Sequence, residues 1–116
     1  MYEYKATVIR ILDGDTVELD IDLGCKVHIR EVCRLQGIDA PELRTPTGPA
    51  AKQWMEQATL DHAVLIRTVK DRTEKYGRYL VWLWCPIPAG TYEVSTTLNA
   101  EMVRAGHAVE YSGGKR

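Results

Sequence analysis

Hydrophobic and polar positions alternate most cleanly over residues 16–22. Val17, Leu19 and Ile21 share one phase; Thr16, Glu18, Asp20 and Asp22 share the other. A period of two puts the first set on one face of a strand and the second on the opposite face, as in a half-buried antiparallel strand. Upstream, residues 5–12 carry Val8, Ile9, Ile11 and Leu12. Side chains of this kind pack well on a pleated surface, which predicts a first strand. Asp13-Gly14 between the two predicts a tight hairpin, with Gly14 supplying the positive φ of a type I′ turn. Leu23-Gly24 predicts a second turn. Residues 26–38 read as a third strand with a flaw, because Glu31 interrupts the phase shared by Val27, Ile29, Cys33 and Leu35. A bulge over residues 30–32 would absorb it.

The period then changes. Thr47, just before Gly48-Pro49, predicts a helix start. Trp54, Met55 and Ala58 lie at near-helical spacing and predict the core-facing side of a helix over residues 49–61. Residues 63–69 read as a fourth strand and residues 71–77 as a polar turn. Residues 78–85 form a fifth strand that is apolar on both faces, so it should be covered on both sides. Trp54, Trp82 and Trp84 are read as core before base-stacking platforms. A short strand at 91–94, a helix over 97–104 stopped by Gly106 and an extended tail at 107–111 complete the chain. Five strands with one helix between the third and fourth is the order of an OB-fold. The expected class is therefore α+β, mainly β: a five-stranded OB-fold Greek-key barrel with two or three helices. One domain is expected over residues 1–111, with a disordered tail at 112–116.

Composition narrows the setting. A chain of 116 residues suits one domain. Its cysteines, Cys25, Cys33 and Cys85, are odd in number and lack close pairing spacings, which argues against a disulfide framework and against a zinc site. Free thiols fit a reducing compartment. The first residues lack the apolar stretch of a signal peptide, and no run is long enough to cross a membrane. These features predict a cytoplasmic protein with no membrane contact, expected to be monomeric. A net charge of −1 argues against tight non-specific binding of duplexes. It leaves room for a small basic site that handles one or two phosphates.

The stretch from Arg34 to Glu42 has the residue types for such a site. It carries two carboxylates, Asp39 and Glu42; one carboxylate can hold a divalent metal, and a second can take a proton from water. A guanidinium grips phosphate with a planar fork of donors. Strict alternation would put Arg34 and Asp39 on opposite faces, so the chain must bend between them, and Gly37 is the expected place. The same residues also fit a plain helix start, with Asp39 as N-cap, Pro41 in the first turn and Glu42 at N3.

Two further segments, Leu12-Asp13-Gly14-Asp15-Thr16-Val17 and Glu74-Lys75-Tyr76-Gly77-Arg78-Tyr79-Leu80, join this stretch in order. With the helix end from Leu98 to Gly106, they resemble the staphylococcal nuclease (thermonuclease) family from about Ala6 to Tyr111. The resemblance implies the OB-type barrel. It also implies a calcium-dependent phosphodiesterase that cuts DNA or RNA with little sequence preference and leaves 3′-phosphate ends. By resemblance, Asp15, Asp39 and the backbone carbonyl of Ala40 are the calcium ligands. Arg34 and Arg78 clamp the phosphate, and Glu42 is the general base. Lys75 and Tyr76 contact a neighbouring phosphate and nucleoside, and Tyr111 lies near a family tyrosine that packs against the base. Asp13 is set aside as a turn residue. A different class, a barrel that holds nucleic acid or a protein partner without cutting, is the alternative.

Overall fold

The structure, a computed structural model, describes residues 2–73, 77–90 and 92–111, with the side chains of 70–73 left out of the description. The chain runs β1 (Glu3–Asp13), β2 (Thr16–Asp22), β3 (His28–Leu35), β4 (Ile38–Asp39), α1 (Gly48–Thr59), β5 (Ala63–Thr73), β6 (Tyr79–Trp84), α2 (Leu98–Arg104) and β7 (Val109–Glu110). Five strands close into a barrel in the order β1-β2-β3-β6-β5, and β4 and β7 form a separate pair. The barrel is the expected α+β OB-type fold, with α1 between its third and fourth strands.

Closure depends on β1. Its residues 3–7 pair with β5 and its residues 5–13 pair with β2. One strand can serve both neighbours because its register shifts between Val8 and Arg10; an extra residue bends a strand and increases its twist. The closing seam, β3 with β6, is parallel and short: Cys33, Arg34 and Leu35 lie opposite Tyr79, Leu80 and Val81. Val8, Val17, Leu35, Ile66 and Leu83 fill the interior.

Helix α1 closes one end. Gly48, Ala51, Met55 and Thr59 are its buried positions, three and four residues apart as an amphipathic helix requires. Trp54 is half-buried, with its ring 5.9 Å from that of His107. Thr47 occupies the N-cap position without a side-chain cap bond. In α2 the expected stop at Gly106 is made, and Thr97 is the N-cap rather than the first helical residue. Thr97 accepts from the Ala100 N–H. At the other end Gly106, at φ +84°, donates to the Val103 carbonyl and His107 donates to that of Met102, the paired bonds of a Schellman motif.

Four local expectations are corrected. The β1–β2 turn is Gly14-Asp15, and Gly14 is not at positive φ. Space is the reason for glycine: a Cβ there would lie 2.6 Å from Met102 Cε and 3.0 Å from the Cβ atoms of Ala40 and Ala51. No bulge interrupts β3. Its register with β2 runs unbroken from Arg34 to His28, with Glu31 opposite Leu19. The flaw in its pattern arises because β3 meets β6 only over Cys33–Leu35, leaving Val27 and Ile29 50% and 39% exposed. The strand expected at 91–94 is instead a 3-10 turn over Val94–Thr96, with Thr91 outside the described residues. Thr96 and Thr97 hydroxyls donate back to the carbonyls of Glu93 and Val94, local bonds that compete with a sheet ladder. Residues 71–73 extend β5 rather than starting a turn. Of the three tryptophans, Trp84 is buried and Trp82 is half-buried. No helix among the described residues is long and apolar enough to cross a membrane.

Two predictions follow from this packing. Met55 is fully buried, so Met55→Ala should lower stability by roughly 2–5 kcal/mol, read from chemical denaturation; a midpoint that barely moves would place Met55 outside the core. Burial, helped by the nearby Glu31 carboxylate, pushes the Cys33 thiol up from 9.0 to about 12. The native state therefore keeps a proton that the unfolded chain releases. Stability should fall as pH rises from about 9 toward 12, and Cys33→Ser or Cys33→Ala should flatten that fall. In native protein, exposed Cys25 should react with a thiol reagent while Cys33 waits for unfolding.

Candidate functional site

The site is built around the carboxylate of Asp15, which is 5% exposed at the β1–β2 turn. A buried charge is stable only when its lone pairs are taken up, and here three neighbours do so. Thr16 donates its hydroxyl to Oδ1 at 3.0 Å. The Ala40 N–H donates to Oδ2 at 2.9 Å, and Arg34 Nη2 donates to the same oxygen at 3.2 Å. Arg34 Nη2 also donates to Asp39 Oδ1 at 3.0 Å. Two carboxylate oxygens from distant parts of the chain thus converge on one cationic nitrogen, with all three side chains largely buried.

The bend that alternation requires between Arg34 and Asp39 is present. β3 ends at Leu35, Gln36-Gly37 turns, and Gly37 sits at φ +79°, a region that L side chains rarely enter. Three ties hold the turn. The Gln36 N–H donates to the Val81 carbonyl at 2.8 Å, the Tyr111 N–H donates to the Gly37 carbonyl at 2.8 Å, and Asn99 Nδ2 donates to the Gln36 carbonyl at 2.9 Å. Beyond it, Asp39 pairs with Val109 in the β4–β7 ladder. The Tyr111 ring lies beside Arg34, its centroid 5.4 Å from Cζ, a cation–π arrangement. No helix starts at Asp39, so the plain helix-cap reading of Asp39 to Glu42 does not hold; the helix begins at Gly48.

Asp15, Arg34, Asp39, Ala40 and Tyr111 are therefore gathered at one place. Glu42 stands apart from that cluster. Its side chain is 63% exposed, and Oε2 accepts from Arg44 Nε at 2.7 Å. Its backbone is firmly held. The Glu42 carbonyl accepts from the N–H and hydroxyl of Thr45, and the next N–H, that of Leu43, donates to Asp13 Oδ1. Gly48 packs so closely that a Cβ there would fall 2.0 Å from the Glu42 carbonyl oxygen. Arg78, half-buried, lies just before β6, two residues ahead of Leu80, which is opposite Arg34. Lys75 and Tyr76 lie outside the described residues.

Sequence reasoning missed three contributors. Asp13, a plain turn residue by its sequence context, anchors the segment after Glu42. Thr16 and Asn99 were not singled out. The Asp-Gly-Asp-Thr string shows four polar or small residues at a hairpin, but nothing in it says which oxygen faces inward. Among the described residues no cluster of three or more His, Cys, Asp and Glu side chains converges as a metal cage. Two carboxylates do converge, and they are hard, anionic oxygens of the type calcium takes together with carbonyls and water; here they accept from Arg34, whose place a cation would take.

Comparison with known proteins points to one family. The sequence model of the family described as Staphylococcal nuclease homologue matches residues 32–116. A micrococcal nuclease of Shigella flexneri is 33% identical over 111 residues, covering 94% of this chain and 59% of its own. Protein ParB of Escherichia coli is 36% identical over 110 residues, covering 94% of this chain and 58% of its own. A thermonuclease of Staphylococcus hyicus is 30% identical over 88 residues, covering 71% and 49%. The chain thus spans between half and three-fifths of the length of these relatives. With the barrel, the ordered motifs and these matches together, the chain belongs to the staphylococcal nuclease family.

Proposed function

We propose that this chain is a nuclease, a calcium-dependent phosphodiesterase acting on DNA or RNA with little sequence preference and leaving 3′-phosphate ends. The observation that supports it most is the convergence of Asp15 Oδ2 and Asp39 Oδ1 on a single cationic nitrogen, in a family whose relatives include nucleases by name. Asp15, Asp39 and the Ala40 carbonyl would hold the calcium. When bound, that ion supplies Lewis-acid charge next to a phosphoryl oxygen. In this structure Nη2 of Arg34, which belongs to both two-nitrogen edges of the guanidinium, is held by the two carboxylates; a calcium ion on those oxygens would release it to grip the phosphate. Arg78 supplies the second guanidinium from the start of β6, the strand beside Arg34's own.

Glu42 takes the proton from the attacking water. Its ion pair with Arg44 is exposed, and exposed pairs contribute little, so the carboxylate can exchange Arg44 for water at small cost. Its backbone anchors at Leu43, Thr45 and Gly48 keep the excursion local. Lys75, Tyr76 and Tyr111 would contact the neighbouring nucleotide. The chain is proposed to work as a monomer.

Three measurements test this reading. Cleavage of plasmid and single strands should require calcium and stop with chelator, in Asp15→Ala and in Asp39→Ala; undiminished cleavage in chelator would remove the metal. Arg34→Lys and Arg78→Lys keep charge and lose the fork. A charge-assisted hydrogen bond contributes about 1.5–3 kcal/mol and a tenfold rate change needs about 1.4 kcal/mol, so each turnover should drop at least about tenfold. Wild-type rates in both would make these arginines structural. Glu42→Gln preserves shape and removes the basic oxygen. Its turnover should fall by about 10²–10⁴ with calcium and nucleotide affinity kept. Equal rates would exclude Glu42 as the base, and a barrel that only binds would show no turnover in either form.

A further inference from the structure

Asn99 is fully buried in the first turn of α2, and no part of the proposed chemistry uses it. Its amide is satisfied on both sides. Oδ1 accepts from the Leu83 N–H at 3.0 Å, and Nδ2 donates to the carbonyls of Gln36 at 2.9 Å and Val81 at 3.0 Å. Only this amide orientation works, because a flipped side chain would set an oxygen against two carbonyls. An aliphatic residue there would take this partner from the buried Leu83 N–H and from the Gln36 carbonyl, and would leave the Val81 carbonyl with the Gln36 N–H.

The location matters more than the count of bonds. The β3–β6 seam ends with the Gln36 N–H on Val81. At the next backbone group the chain leaves the sheet, and Asn99 takes over: it grips the Gln36 carbonyl with one hand of its amide and β6 with the rest. The Gln36-Gly37 turn is the hinge that carries Asp39 back to Arg34. Arg34 is itself fixed opposite Leu80 on β6. Asn99 thus joins the two backbone segments whose relative placement decides whether Asp39 and Arg34 meet.

We propose that Asn99 is a positioning residue for the Arg34–Asp39 pair. It locks the Gln36-Gly37 turn to β6, so that the carboxylate of Asp39 arrives on the guanidinium that also holds Asp15. Among the described buried polar residues, Thr59 returns its hydroxyl to its own helix and Thr97 caps its own helix. Asn99, by contrast, bridges elements on either side of the site. Only the kinetic arm of the test below rests on the nuclease reading.

The central test is a double-mutant cycle between Arg34→Met and Asp39→Asn, read by chemical denaturation, in wild type and in Asn99→Ala. The coupling between Arg34 and Asp39 should shrink by more than half in Asn99→Ala; a residue that only fills space would lower stability and leave the coupling intact. Undiminished coupling overturns the proposal. In the kinetic arm, Asn99→Ala is compared with Val64→Ala, a buried β5 variant, at a temperature where both are folded. Asn99→Ala should lose about tenfold or more in kcat relative to that comparator, since small misplacements are costly in rate. Equal kcat values overturn it. If wild type cleaves nothing, the nuclease reading fails while the coupling cycle still decides the role of Asn99. If Asn99→Ala does not fold, native-state hydrogen exchange on wild type decides. The amides of Gln36, Leu83 and Tyr111 should open as one unit, with opening constants agreeing within about threefold. Opening of Gln36 and Tyr111 while Leu83 stays closed would show that the turn moves without Asn99.

Discussion

The carboxylate of Asp15 is the constraint on which the rest of the site depends. It sits at a hairpin turn with almost no exposure, and a buried carboxylate needs donors on every side. Those donors are the hydroxyl of Thr16 next to it, the guanidinium of Arg34 from β3 and the backbone of Ala40 beyond the Gln36-Gly37 turn. Satisfying one charge therefore fixes three segments relative to one another. The packing around the turn enforces the same result from the apolar side. Gly14 has no room for a side chain because Ala40, Ala51 and Met102 press on it, so both helices bear on the turn that presents Asp15.

The site has two parts of different character. The Asp15–Arg34–Asp39 cluster is largely buried, cross-linked and carried on the barrel. Each side chain in it is held by at least one of the others. The Glu42 part is exposed at its side chain and pinned at its backbone, through Asp13, Thr45 and Gly48. Exposure gives this carboxylate access to water, while the pinned backbone limits how far it strays. The short loop after Glu42 achieves this by folding directly onto the start of α1, where only glycine fits at position 48.

What the sequence determined by itself was whatever rests on local periodicity and local backbone chemistry. The strand at residues 16–22 was legible because one face is buried and the other wet, which writes a period of two into the residues. The end of α2 at Gly106 was legible because a left-handed residue after a helix selects glycine. The bend at Gly37 followed from a conflict: Arg34 and Asp39 could serve one site only if the chain reversed between them. Ordered motifs then placed the chain in its family, and with it Asp15, Arg34 and Asp39 in one cluster.

Only the tertiary structure decided the matters that depend on non-local packing. Gly14 looked like a turn glycine needed for its backbone angle and proved to be one needed for space, because the groups that exclude a side chain come from Ala40, Ala51 and Met102. Glu31 looked like the mark of a bulge, yet the strand is regular and merely outruns the barrel wall. Asn99 left no local trace, since an asparagine in the first turn of a helix is unremarkable until Gln36, Val81 and Leu83 are seen around it. Asp13 and Asp15 are one glycine apart and chemically alike, but one anchors an outer loop and the other is buried beneath Arg34. Sequence sets which groups are present and their local geometry; which of them face each other is set by how the barrel closes, through contacts between residues far apart in the chain.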